Sequence, residues 1–201
     1  MSILVKSKTS KTDKNRWGTT WECFNDAQFL NGTDFTIDVC AEVQTTKCDV
    51  WIAPNEKMFN ESKNLGAVQY DALECLTWEN NWWCNPPFDL KEAFIKKAIE
   101  QAQIGNGGMI LLPYERTTRW WRNFINEHAT TIYEPDGRYS FYESDGSTKK
   151  PGVNFASAFV LFSPARRMGK KPETIEFKRG IGNQIEKKPL LNEAKNMKIS
   201  E

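Results

Sequence analysis

At 201 residues, 39% of them hydrophobic and 12% aromatic, the chain has enough apolar surface for one sizeable core and too little length for two full domains. No apolar run approaches the roughly 20 residues that span a bilayer, and an N-terminus with Lys6, Lys8, Lys11 and Lys14 but no apolar stretch is not a secretory signal. Five scattered cysteines without a C-x-x-C pair, beside a single histidine, argue against a metal centre and point to reduced packing thiols in a cytoplasmic protein.

The formal charge of +1 conceals an asymmetry. Of 27 basic and 26 acidic residues, 5 and 1 lie in 1–16 and 10 and 5 in 164–201, leaving 12 and 20 in the middle. An acidic body with two basic ends suits contact with a polyanion, and equally suits tails that keep a protein in solution. The polar ends read as a flexible basic N-terminal segment over 1–16 and a flexible basic C-terminal tail over 164–201. One domain over 17–163 lies between them.

In chain order, Thr19-x-x-Glu22 is a capping box for a helix over about 21–30. Its Cys23, Phe24, Ala27 and Leu30 share a face, and Asn31-Gly32 ends it. Residues 35–40 read as a short buried strand ending near Asp38, Val50-Trp51-Ile52 is an isolated apolar run, and Ala67 to Tyr70 forms a strand ending at Asp71-Ala72-Leu73. Asp89-x-x-Glu92 predicts a second capping box, and the stripe Phe94, Ile95, Ala98, Ile99 and Ala102 a helix over about 90–103. Met109 to Leu112 is a continuous apolar run, as in a sheet centre covered on both faces. Thr117 or Thr118 caps a helix with Trp120, Trp121, Phe124 and Ile125, after which strand-like runs occupy 131–134, 138–142 and 155–162.

Strands alternating with helices and then following one another predict a single α/β domain, its sheet mainly parallel with antiparallel strands at the C-terminal end. Ligands of open α/β sheets bind beyond the carboxyl ends of the strands. Asp38, Asp71 and Asn85 each fall at such an end, either as loop caps or as ligand-facing groups.

The most informative stretch is Trp82-Trp83-Cys84-Asn85-Pro86-Pro87-Phe88. Two consecutive prolines remove two N–H donors and stop any strand ladder. Left at the strand end are acceptors, namely the Asn85 side-chain oxygen and the Asn85 and Pro86 carbonyls, with the Phe88 ring beside them. Such a set can accept hydrogen bonds from a planar amino group while a ring stacks on its heterocycle.

Asn85-Pro86-Pro87-Phe88 resembles the Asp/Asn/Ser-Pro-Pro-aromatic motif of amino-group methyltransferases that use S-adenosylmethionine. Its companions narrow the resemblance. Trp17-Gly18-Thr19-Thr20 with Phe24, Asp38-Val39-Cys40-Ala41, Asp71-Ala72-Leu73, Leu111-Leu112-Pro113 and Gly137-Arg138-Tyr139-Ser140-Phe141 stand in the order of the phage-type, Dam-like DNA N6-adenine methyltransferase family. The resemblance covers about residues 15–163. It implies a Rossmann-like class I methyltransferase domain that methylates adenine N6 in double-stranded DNA, with base flipping, in the bacterial host cytoplasm. Under it, Asn85, Pro86, Pro87 and Phe88 are catalytic. Trp17, Thr19, Thr20, Asp38, Cys40, Ala41, Asp71 and Ala72 hold S-adenosylmethionine.

Residues 114–155 are the place for DNA-recognition elements, with Arg116, Arg119 and Arg138 as candidate DNA contacts. Arg116, Arg119 and Arg122 equally read as a solvated face. The chain departs from the family in having Thr19-Thr20 for Thr-Pro, Phe88 for the commoner Tyr, and no G-x-G loop at Asp38. The alternatives are a methyltransferase acting on RNA or a protein glutamine amide, and a non-catalytic nucleic-acid-binding module. Neither a membrane nor a metal is expected as partner, and no pattern sets an oligomeric state.

Overall fold

The computed structural model describes residues 15–150, 154–165 and 169–184. The expected N-terminal segment up to residue 14 and the tail from residue 185 lie outside them. Strand β1 (Gly18–Thr19) leads into α1 (Trp21–Asn31), followed by β2 (Ile37–Asp38), β3 (Trp51–Ala53), α2 (Glu56–Ser62) and β4 (Ala67–Tyr70). Next come β5 (Trp82–Cys84), α3 (Lys91–Gln103) and β6 (Gly108–Pro113). A π-helical turn at Trp121–Ile125 runs into the short α4 (Asn126–His128). Strands β7 (Thr131–Pro135), β8 (Phe141–Tyr142), β9 (Lys149–Lys150), β10 (Ser157–Phe162) and β11 (Glu173–Phe177) precede a 3-10 turn at Ile181–Gln184.

The main sheet has eight strands in the order β11-β7-β10-β6-β5-β2-β3-β4. Strands β4, β3, β2, β5 and β6 are parallel, β10 is antiparallel to both β6 and β7, and β11 is parallel to β7. This is the expected α/β sheet. Its carboxyl edge gathers the ends of β2, β3, β4, β5, β6 and β7, and so brings Asp38, Asp71, Asn85 and the turn after Pro135 to one side. A second sheet, β1-β8-β9, stands over that edge.

Adjacent tryptophans in β5 anchor the two faces. Both are fully buried, and strand alternation sends them to opposite sides. Trp83 meets Phe24 and Phe35, each at 5.5 Å, and Phe159 at 6.1 Å. Trp82 meets Trp78 at 5.1 Å and lies across Gly108, where a Cβ would come within 2.2 Å of the indole. A glycine is required there because the parallel register sets Trp82 opposite Gly108. Burying each such ring stabilises the fold by roughly 3 kcal/mol. Trp120 and Trp121 are likewise core residues, as the apolar stripe predicts.

Two local expectations change. The N-cap of α1 is Thr20, whose hydroxyl accepts from Cys23 N at 3.4 Å, one residue beyond the predicted cap. The second capping box does not form. A 3-10 turn at Phe88–Leu90 precedes α3, and the Asp89 carboxylate instead accepts from Asn15 Nδ2 at 2.9 Å. A tertiary bond has taken the local cap.

The C-terminal tail is not uniformly a tail. Its residues Glu173–Phe177 add an edge strand to β7, and the segment beyond them docks on α1. There the buried Asp26 carboxylate accepts from Gly180 N at 2.8 Å, Gly182 N at 2.7 Å and the Tyr139 hydroxyl at 2.6 Å. The polar composition of this stretch hides its order, because one buried carboxylate rather than an apolar stripe organises it.

Candidate active site

Asn85 follows β5 directly, where the prolines end the ladder. Its Nδ2 donates to the Trp17 carbonyl at 3.1 Å. That bond fixes the orientation of the amide and leaves Oδ1 as an acceptor.

Asn85 is the shared wall of two cavities. On one side, Pro87 joins Arg16, Trp17, Gly18, Thr19, Asp38, Cys40, Ala41, Glu42, Asn55 and Met58 around an open cleft of about 250 Å³. On the other, Pro86 and Phe88 join Lys91, Leu111, Leu112, Pro113, Phe141, Phe155 and Ser157 around about 20 Å³. The first approaches the roughly 300 Å³ at which small-molecule sites begin. The second has room for about one water. The two prolines therefore face different cavities, a division the motif alone does not reveal.

The large cleft has an acidic floor. Asp38 is buried, and its two oxygens accept from Cys40 N at 3.3 Å and Lys47 N at 3.1 Å. It thus shapes the loop after β2 while lining the cleft. The Cys40 thiol is pushed far up by burial and then by the charges of Asp38 and Glu42, and burial does the same to Cys84. These thiols stay protonated near neutral pH and supply no nucleophile.

A strap of residues 15–17 crosses the cleft. Arg16 makes a bidentate contact with Glu42 at 2.9 and 2.6 Å, while Asn15 exchanges two hydrogen bonds with Asp89. The indole Nε1 of Trp17 is buried without a hydrogen-bond partner among the described residues. The sequence reading missed Arg16, Glu42 and Asn55. The first two carry a signal only as a pair, and 26 positions separate them.

Not all predicted cofactor residues meet in the cleft. Thr20 caps α1 instead. Asp71 has a left-handed backbone (φ 53°) and accepts from Leu73 N at 3.3 Å, closing its own turn beside the end of β3, and Ala72 is buried in the core. None of the three lines the cleft.

The small cavity is aromatic. Phe155 meets Phe88 edge-on at 4.9 Å and stacks on Trp17 at 6.4 Å, and Phe141 lies 5.9 Å from Phe155. Lys150 Nζ stands 5.3 Å from the Trp17 ring and pairs with Glu143 at 2.8 Å. Phe155, just before β10, was legible only as a strand residue and Phe141 only as the end of the Gly137–Phe141 motif, because the fold alone brings both rings to the wall of the Phe88 cavity. Arg116, Arg119 and Arg138 are all exposed, Arg116 just past β6 and Arg138 just past β7 at the carboxyl edge.

Residues 6–187 match the family described as DNA N-6-adenine-methyltransferase (Dam). The chain belongs to that family. It is 26% identical over 168 residues to a DNA N-6-adenine-methyltransferase of Haemophilus phage HP1 (strain HP1c1), covering 83% of this chain and 89% of the relative. Its identity to the protein of the same description from Escherichia phage T1 is 25%, covering 56% and 62%. A solved protein of Thermoplasma acidophilum superposes with a TM-score of 0.46 at 10% identity, covering 73% of this chain and 89% of that one. The enzyme is an adenine-N6 DNA methyltransferase built on the α/β sheet described above. RNA or protein amides as the substrate, and a non-catalytic role, give way to this reading.

Proposed function

We propose that the 250 Å³ cleft holds S-adenosylmethionine and the aromatic cavity receives an adenine flipped out of duplex DNA, with Asn85 between them. One observation carries the reading: Asn85 walls both cavities, and its amide is turned so that Oδ1 remains an acceptor. The residues of the cleft suit the donor. Carboxylates at Asp38 and Glu42 favour a cationic ligand, Thr45 and Asn55 offer polar partners for hydroxyls, and Met58 and Ala41 supply apolar wall. The buried, unpartnered Trp17 indole adds a donor at the boundary of the two cavities.

S-adenosylmethionine supplies an electrophilic methyl group on a sulfonium. The exocyclic nitrogen of adenine is a poor nucleophile because its lone pair is delocalised into the ring. Asn85 Oδ1 and the Pro86 carbonyl accept its two N–H groups, favour a pyramidal nitrogen and stabilise the positive charge that develops there. Phe88 offers a stacking face, and with Phe155 and Trp17 it excludes water from the reacting nitrogen. Alignment through these contacts, rather than a strong base, lowers the barrier to in-line transfer.

A cavity of about 20 Å³ does not admit a base, so Phe88 and Phe155 part when one enters. Arg116, Arg119 and Arg138 contact the duplex outside the pocket, in the host-cell cytoplasm. The test is transfer of a labelled methyl group to unmethylated duplex DNA, with Asn85→Ala as control. Label above the control and insensitive to excess RNA is the expected result, and label equal to the control across varied DNA refutes the assignment.

A further inference from the structure

The turn after β7 is held by the C-terminal segment through a contact that neither the catalytic motif nor the cofactor cleft explains. Arg179 follows β11. Its Nε donates to Asp136 Oδ1 at 3.0 Å, its backbone N–H donates to the same oxygen at 3.2 Å, and Nη1 donates to the Arg138 carbonyl. The guanidinium also lies 6.0 Å from the Tyr139 ring. Gly137 is the platform: a Cβ there would meet Nη2 at 2.6 Å and Cζ at 2.8 Å, so a side chain would displace the fork. Asp136 N in turn donates to the Phe177 carbonyl at 2.9 Å, and the Tyr139 hydroxyl is held by buried Asp26. Asp136, the Arg138 carbonyl and the Tyr139 side chain are thereby held from outside the turn.

One side chain of the turn is left out of this network. The Arg138 side chain is exposed and makes no hydrogen bond or ion pair among the described residues, its carbonyl alone being engaged. The charge of Arg179 is matched by Asp136, whereas that of Arg138 is uncommitted. Arg138 is three residues from Phe141, which lines the aromatic cavity, so its backbone lies within about 10 Å of that wall.

We propose that Arg179 is a positioning residue for DNA. It clamps the Gly137–Arg138 turn so that Arg138 is presented to the phosphates or base edges flanking the flipped adenine. The inference rests on the DNA-methylating reading above and assigns the C-terminal segment a part in it. Arg179 touches no substrate and works through Arg138. Its planar fork serves Asp136 and the Arg138 carbonyl at once, which an ammonium does not reproduce.

The experiment is a double-mutant cycle on the full chain with Arg138→Ala, Arg179→Ala and the pair, read by DNA affinity at several salt concentrations, by KM for DNA against kcat, by calorimetric S-adenosylmethionine binding and by melting temperature. Arg138→Ala weakens DNA binding about 10-fold. Arg179→Ala gives most of that loss, the pair loses no more than Arg138→Ala alone, and cofactor binding is unchanged in all three. Arg179→Lys and Gly137→Ala reproduce the Arg179→Ala defect, since both unseat the fork while keeping a positive charge. Additive losses show that Arg179 meets DNA itself and overturn the inference. So does an Arg179→Ala protein with wild-type DNA affinity, or one whose cofactor binding falls in step with its melting temperature. Wild-type protein that neither binds nor methylates DNA overturns the functional reading, and this one with it.

Discussion

The two cavities beside Asn85 differ in what they are ready to do. The proposed cofactor cleft is larger and bordered by Asp38 and Glu42, and its loop is tied by Asp38 to Cys40 and Lys47. The proposed base cavity is small, mostly apolar and filled by its own rings. A small ligand with fixed charges rewards a preorganised polar site, where donors and acceptors stand in place before it arrives. A flipped base instead replaces one set of aromatic contacts with another, so a collapsed aromatic cavity loses little while empty and stays dry. On this contrast, calorimetry should show S-adenosylmethionine binding to the DNA-free protein and no binding of free adenine.

The sharpest way to break the comparison is at the shared wall. Asn85→Ala removes the acceptor from both sides and should lower kcat by about 10²–10³-fold, the usual loss for one preorganised transition-state partner. Asn85→Asp keeps the acceptor but loses the donor to the Trp17 carbonyl. It should retain more activity than Asn85→Ala while loosening residues 15–17, read as faster hydrogen exchange there. Equal activity of the two variants would mean that Oδ1 is not the acceptor.

Next in size is an effect confined to the base cavity. Phe88→Ala or Phe155→Ala should raise KM for DNA about 10-fold, since stacking on one base is worth roughly 1–3 kcal/mol. S-adenosylmethionine affinity, measured by calorimetry, should stay within about twofold, as neither ring lines the cleft. A matching loss of cofactor affinity would erase the distinction between the cavities.

A smaller effect belongs to the strap. Arg16 is half exposed, so its bidentate pair with Glu42 is screened by water and is worth at most about 1 kcal/mol. Arg16→Ala should therefore speed cofactor release about two- to fivefold in stopped-flow displacement, with Glu42→Ala matching it and the double variant adding nothing. An unchanged release rate would remove the strap from the path of the cofactor.

The smallest expected effect is one of pH, on the hairpin that carries β8 to the base cavity. Hydrogen bonds from the Thr148 hydroxyl and from the Ser147 and Thr148 backbone hold the Asp145 carboxyl down at about 2. Its folded value is depressed, so its stabilisation is present above the unfolded value and is lost as pH falls through about 2. Amide protection of Ser147 and Thr148 should be flat from neutrality to about pH 4 and fall only below it. Protection falling around pH 6 would show that another group controls the turn.

Much of this was legible in the residues. The apolar stripe of α3 and the run at Met109–Leu112 came through because period and burial agree there. The Asp89 cap did not, because a side chain 74 positions away claims that carboxylate. Strand β11 was hidden by its charges, which an edge strand tolerates on its exposed face. Phe155 and Arg179 carried no local signal of function. One borders a cavity only because the chain before β10 packs against Phe88, and the other meets the turn after β7 from 41 and 43 positions away.

By itself the sequence determined the chemistry available to this protein: acceptors and a ring held at a strand end by two prolines, and acids at neighbouring strand ends of an α/β sheet. It could do so because a strand's end, its alternation and a proline's missing donor are local properties of the chain. Tertiary structure decided how those groups are shared. Pairing β2 beside β5, and bringing the Trp17 carbonyl to Asn85, divides the carboxyl edge into two cavities and turns one amide toward its task. Those contacts join residues tens of positions apart, and only the folded sheet holds them within hydrogen-bonding distance.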